Sequence, residues 1–295
     1  MSSENKFLTE GVRSMFMSTL AFSLANVFVK QISHIPAMEV VFFRCFLGVV
    51  FCSIGLTRAR ASFLGSNIKL LVLRGLFGTS ALYLFFSTLQ NSSLATAQTI
   101  QYLSPIFTSI IAIFVLHETV KIPQWIFYAV AFAGVVLIGQ FDVRISPTYL
   151  IMGVVSAFCS GMAYNLVRSL RGREHPLTVV FHFQFFGMIA GFIATLFNWT
   201  MPQGWDWLFL ILIGVCSQVG QIFLTNALQQ ERAASVSIVN YSGLIYALLI
   251  GWLVFGETLQ GLAIVGILLV VAGVIASVIY AKRRGVVEAK EAAAG

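Results

Sequence analysis

Ten apolar runs of about 20 residues recur between residues 14 and 281, each long enough to cross the roughly 30 Å hydrocarbon core of a bilayer. Backbone groups in lipid must find their partners inside the span or in a closed barrel. The runs show no period-two alternation of the kind barrel strands need, so they are expected to be helices. Composition agrees: 58% of residues are hydrophobic and 10% charged, against about 25% charged in an average soluble domain. Such a chain cannot coat a globular surface with polar groups. The first run follows Arg13 and lacks the short core and small-residue cleavage site of a signal peptide, so it reads as a retained span.

Hydropathy and punctuation by proline, glycine and charge place spans near 14–32, 37–57, 70–90, 94–117 and 122–140, then near 148–169, 176–199, 205–229, 233–254 and 258–281. Pro36, Pro123, Pro147 and Pro176 fall at helix starts, where a missing N–H costs little. Only Pro105 falls inside a span. Of the 18 Lys and Arg residues, all but Lys30, Arg44, Arg74 and Arg144 fall in tails and loops on one side of the membrane. Positive charge near short loops stays cytoplasmic, which puts both termini in the cytoplasm. The basic residues are scattered over short segments rather than gathered in one patch, so nucleic acid is not an expected partner. The expected surroundings are the lipid bilayer, with no obligate protein partner evident.

Self-similarity organises the chain further. Glu118-Thr119 and Glu257-Thr258 each end a long apolar run, 139 residues apart. The same offset, without gaps, pairs Asn26 with Asn165, Val40-Val41-Phe42 with Val179-Val180-Phe181, Leu89-Gln90 with Leu228-Gln229, Tyr102 with Tyr241 and Gly134-Val135 with Gly273-Val274. Apolar matches are cheap in so hydrophobic a chain; the polar ones in one register are not. Two units follow, 1–146 and 147–295. Each holds five spans, an odd number, so the second unit is inverted relative to the first, an architecture that recurs in carriers with a site between the repeats.

Polar side chains inside a span are expensive and face protein or water rather than lipid. In span four, Gln98, Gln101, Tyr102 and Pro105 share one helical face, matched in span nine by Ser237, Asn240, Tyr241 and Leu244. Gln218, Gln221 and Thr225 form a stripe in span eight; Asn26 and Lys30 lie one turn apart in span one. Two readings stand for each stripe, lining of a solute cavity and interhelical hydrogen bonding that holds the bundle together. Asn165 shares the symmetric midplane position of Asn26. Arg44 lies roughly 10 Å below the outer surface, where it either snorkels or pairs with Glu39 or meets an anion in a cavity. Arg74 and Lys30 are expected to snorkel. His182, placed inside a span, reads as a hydrogen-bonded structural group or as a proton carrier. Pro105 should bend span four at Ser104, and Gly243-Leu244 stands at the matching place in span nine, which makes Ser104, Pro105 and Gly243 the candidate hinge or gate.

All eleven Asp and Glu residues lie in tails, loops or span ends. A cavity without a carboxylate favours neutral, zwitterionic or anionic solutes over cations. Glu118 and Glu257 read as helix-end anchors or as gates. Cys45, Cys52, Cys159 and Cys216 show no metal-ligand or CxxC spacing, so no metal, cofactor or disulfide is expected. Catalytic residues are not expected either: His34, His117, His175 and His182 sit in separate segments without an HExxH spacing, which weighs against a membrane-embedded enzyme. No filter loop or ring of like charge marks a channel.

Arg74-Gly75 opening a span, Ala95 to Ala97 opening the next, Leu103-Ser104-Pro105 within it, Leu116 to Glu118 at its end and Gly134-Val135-Val136-Leu137 resemble the EamA-type drug/metabolite transporter superfamily in its ten-helix bacterial form. Ala233 to Ser235, Gly256-Glu257 and Gly273-Val274 repeat the theme. The resemblance implies two inverted five-helix repeats around a central cavity and alternating access. It also implies a secondary transporter of a small organic solute, an amino acid or related metabolite, with an organic anion or carboxylate as the alternative. The expected location is a bacterial inner membrane.

Overall fold

The computed structural model describes residues 10–115, 122–142, 145–230, 242–258 and 261–294. Among these every regular element is helical: α1 (Glu10–Gln31), α2 (Ala37–Ala59), α3 (Ile68–Gln90), α4 (Leu94–Gln101), α5 (Ser104–Val115), α6 (Ile122–Phe141), α7 (Pro147–Ser169), α8 (Pro176–Thr195), α9 (Asp206–Gln230), α10 (Ser242–Phe255) and α11 (Gly261–Ala294). Seven stretches among the described residues are long and apolar enough to cross a membrane, with α4 and α5 together forming one of them, Leu94–Phe114. Three further apolar helical stretches are shorter, Ile122–Ile138, Ser242–Phe255 and Gly261–Ser277.

Local chemistry sets the boundaries. Pro147 and Pro176 stand in the first turns of α7 and α8, where a proline has no hydrogen bond to forfeit. The Ser93 hydroxyl accepts the Thr96 N–H at 3.0 Å and caps α4. Pro105 cannot donate to the Gln101 carbonyl, and the span breaks just ahead of it: Leu103 N–H turns back to Ile100 O at 3.0 Å, and α5 restarts at Ser104. Between the α2–α3 and α7–α8 connections, the Glu174 carboxylate accepts the Ser66 N–H, the Ser66 hydroxyl and the Asn67 N–H at 2.6–2.7 Å. Burial alone would raise its pKa; these donors hold it below the usual carboxylate value.

Helices pack in antiparallel pairs. Residues of α1 meet α9 in reverse order, Phe22 against Gly220 and Phe28 stacked on Phe209. Ala81 and Thr88 of α3 likewise meet Ser156 and Tyr149 of α7. Between α2 and α8, Gly48 faces Gln184, Cys45 faces Gly187 and Phe42 faces Gly191. The α6–α11 seam brings backbone against backbone. A Cβ on Gly134 would lie 2.5 Å from the Gly266 carbonyl oxygen, so the two backbones touch where no side chain fits. Large apolar side chains such as Phe51, Leu76, Ile193 and Trp252 point outward and are exposed, the reverse of a soluble bundle. Trp199, Trp205 and Trp207 cluster around the α8–α9 connection, as aromatic residues do at a membrane–water boundary.

Candidate functional site

A cavity of about 140 Å³ opens between α1, α2, α3 and α4 on one side and α7, α8 and α9 on the other. Its wall combines amides and hydroxyls with apolar rings and two arginines. Asn26 Nδ2 donates to Gln98 Oε1 at 3.3 Å, joining α1 to α4. Gln101 Nε2 donates to the Ser160 hydroxyl at 2.7 Å, and Ser156 donates to Gln101 Oε1 at 3.1 Å, joining α4 to α7. Gln221 also lines the cavity, and its buried Nε2 has no hydrogen-bond partner among the described residues.

Arg44 and Arg74 are each 3% exposed and both line the cavity. Among the described residues neither forms an ion pair and no acidic residue lines the cavity. The Nε and Nη1 atoms of both arginines are buried without a hydrogen-bond partner among the described residues. What holds them is aromatic: the Arg44 guanidinium lies 5.7 Å from the Phe86 ring and 5.6 Å from the Phe183 ring, and Arg74 lies 4.5 Å from Phe183. Gly78 makes room for Arg74 one turn below it, because a Cβ there would occupy the place of Arg74 Nη1.

Several residues singled out from the sequence meet here: Asn26, Arg44, Gln98, Gln101 and Gln221. The alternative of an Arg44–Glu39 pair is not realised, since Glu39 accepts the Thr200 N–H at 3.0 Å instead. Others lie elsewhere. Lys30 neither snorkels nor lines the cavity; its ammonium pairs with Glu257 at 2.5 Å, donates to Ser92 O and sits over the Phe255 ring. Glu257 also accepts the Leu94 N–H at 2.9 Å, so one carboxylate ties the end of α1 to the start of α4. Asn165, symmetric to Asn26 in sequence, spends its amide on the Thr108 and Gly161 carbonyls at 2.9 and 3.1 Å. His182 bonds the Thr178 carbonyl at 3.0 Å. Gln218 accepts from Gln184 at 2.7 Å and donates to the Cys52 sulfur at 3.0 Å. Tyr102 is fully buried beside Gln98, its hydroxyl 3.4 Å from Nε2, and Gly243 leaves space for that hydroxyl. Ser104 and Pro105 begin α5 at the break. Asn240 and Tyr241, with Glu118, lie outside the described residues.

The sequence reading missed Arg74, Ser160, Tyr164 and Phe183 as lining residues. For Arg74 a signal existed. Gly78 follows it one turn on, and an arginine so placed has space to lie against its own helix rather than reach for water. Phe183 carried none, being one of 27 phenylalanines.

An outward-apolar helical bundle around a polar, cationic cavity defines an integral membrane protein. The chain belongs to the EamA-like transporter family, which residues 9–140 and 147–279 match in turn. It is 29% identical over 277 residues to the pseudopaline exporter CntI of Pseudomonas aeruginosa strain UCBPP-PA14, covering 91% of this chain and 96% of that one. It is 30% identical over 251 residues to solute carrier family 35 member G1 of Mus musculus, covering 78% and 68%. A crystal structure shares the fold, with a TM-score of 0.68 at 17% identity over 92% of this chain and 98% of that one.

Proposed function

We propose that this protein is a secondary transporter that carries a small organic solute across the bilayer by alternating access, through ten spans built as two inverted five-helix repeats, 1–146 and 147–295. The observation that carries the reading is the polar cavity bounded by helices of both halves. Packing supports the inverted symmetry. Under the 139-residue offset, α1 against α9 becomes α7 against α3, and both pairs are close neighbours. Helices α2 and α8 correspond to each other under the same offset and run antiparallel, with Gly48–Gln184 exchanging with Gly187–Cys45. Two equivalent helices packed antiparallel are related by an axis perpendicular to both, which for membrane spans is an axis in the membrane plane.

The break between α4 and α5 supports a moving element beside the site, since irregular backbone at membrane depth is tolerated where it lines a cavity. Arg44 and Arg74 in the wall disfavour cations, which leaves neutral, zwitterionic or anionic solutes, amino acids and related metabolites among them. The names of relatives fit carriage of organic solutes: one is a pseudopaline exporter and another, from Rickettsia conorii, an S-adenosylmethionine uptake transporter. The charge distribution supports cytoplasmic termini, and a bacterial inner membrane is the location that fits ten helical spans. Proteoliposome flux tests the reading. A carrier gives saturable uptake with counterflow; flux that rises without saturation and shows no counterflow would make the cavity a channel.

A further inference from the structure

Resting on the reading of the cavity as the transport site, we infer that its solute is a small dicarboxylate gripped by Arg44 and Arg74, and that exchange of one such anion for another is the fast mode of transport. Both guanidiniums are 3% exposed, and Nε and Nη1 of each lack a hydrogen-bond partner among the described residues. Burying a charged donor without a partner is among the costliest arrangements a protein can hold, and more so at membrane depth. Here the arrangement occurs twice in one wall, around one ring, Phe183. The aromatic contacts use guanidinium faces and leave the N–H edges, which match carboxylate oxygens in a planar, bidentate fork.

Two positive charges, with no acidic residue in the lining among the described residues, call for a solute of charge near −2. The rest of the wall says that the solute is organic. Phe22, Leu82, Phe85 and Leu224 provide apolar surface for a carbon chain, which sulfate or phosphate would leave bare. Asn26, Gln98 and Gln101 offer amides for whatever hydroxyl or amino groups the chain carries.

The same charges set the kinetics. Reorientation takes the cavity through a state closed to water on both sides. Loaded with a dianion, that state is neutral; empty, it holds two uncompensated guanidiniums, whose desolvation raises the barrier. Loaded carriers therefore cross faster than empty ones.

Purified protein is titrated with succinate, glutarate and malate, and with succinamide, butyrate and sulfate as neutral, monoanionic and inorganic probes. Dicarboxylates are expected to raise the unfolding temperature by mass action. The half-effect concentration should rise at least about tenfold in Arg44→Gln and in Arg74→Gln, with partial recovery in Arg44→Lys and Arg74→Lys. Unfolding of each variant without solute checks that it is folded. Stabilisation by succinamide equal to that by succinate, stabilisation by sulfate alone, or wild-type succinate affinity in both Gln variants would overturn the inference. In proteoliposomes, labelled succinate should leave faster against external succinate than against buffer, and equal rates would remove the exchange claim. Saturable counterflow of a neutral solute that succinate does not compete with would leave the carrier reading standing and overturn the dicarboxylate. Arginine-dependent succinate binding without flux of any solute would do the opposite.

Discussion

Lys30 and Arg74 are both cations within apolar helices, yet the protein completes one and leaves the other open. The ammonium of Lys30 has a carboxylate at 2.5 Å, a carbonyl and an aromatic face, and its carboxylate partner is itself held by the Leu94 N–H. The guanidinium of Arg74 has an aromatic face and, among the described residues, no acidic neighbour in the cavity wall. A chain able to place Glu257 against Lys30 has no difficulty in neutralising a buried cation. The contrast separates charge used to tie helices together from charge kept available in the cavity, and the two kinds should respond oppositely to substitution.

The largest effect is expected at the tie. Glu257→Gln strands Lys30 and weakens the acceptor at the start of α4, and for this partly exposed pair the loss should be about 2–4 kcal/mol. It would be read as a fall of several degrees in unfolding temperature; wild-type unfolding would break the contrast at its stronger side. Next comes Gly78→Ala, whose methyl group collides with Arg74 Nη1 and approaches the Phe183 ring at 2.7 Å. Overpacking of this kind costs about 1–3 kcal/mol, and because it moves the guanidinium it should weaken solute binding as well. Retained affinity would show that Arg74 is not held in place by this fit.

Smaller again is Gln101→Leu, which removes the contacts with Ser160 and Ser156 on the cavity wall. Loss of a neutral hydrogen bond to solute is worth about 0.5–1.5 kcal/mol, roughly two- to twelve-fold in affinity. Unchanged affinity in a folded variant would assign Gln101 to helix packing alone. Least disturbed of all, in the absence of solute, should be Arg74→Gln. Removing an uncompensated buried charge should leave stability within about 1 kcal/mol of wild type or raise it. A loss as large as that of Glu257→Gln would mean that Arg74 has a structural partner and that the two cations are alike after all.

The helical fold was largely legible in the sequence, and the site only in part. Helix ends fall within a few residues of those read from hydropathy in most spans, because proline, glycine and charge mark both the water boundary and the backbone's tolerance at once. Pro105 announced its interruption through a missing donor, and the backbone breaks at Tyr102–Leu103 beside it. Side-chain destination was harder to read. Asn26 and Asn165 occupy equivalent positions, but Asn26 bonds Gln98 in the cavity wall while Asn165 bonds two carbonyls, one of them a turn back on its own helix at Gly161. Spacing along one helix cannot show which acceptor on another helix lies nearer. Lys30 and Arg74 failed as snorkelling residues for a related reason. Their depth was legible, but the partners that decide direction, Glu257 and Phe183, come from far along the chain.

The seam between α6 and α11 bears on how such a sequence tolerates change. Gly134 rests against Gly266 and Val270, and Gly273 rests against Phe127 and Ala131. Shifted by 139 residues, the first set of contacts becomes the second, so a single demand for close backbone approach is written into the chain twice. Drift at Gly134 is checked by the helix that carries Gly273, and the reverse holds as well, whereas outward residues such as Phe114 and Leu253 are largely exposed and can vary among apolar types. A saturation scan should therefore trace matching intolerant stripes in the two halves. The likeness between the halves would then persist longest where each half is the other's packing partner.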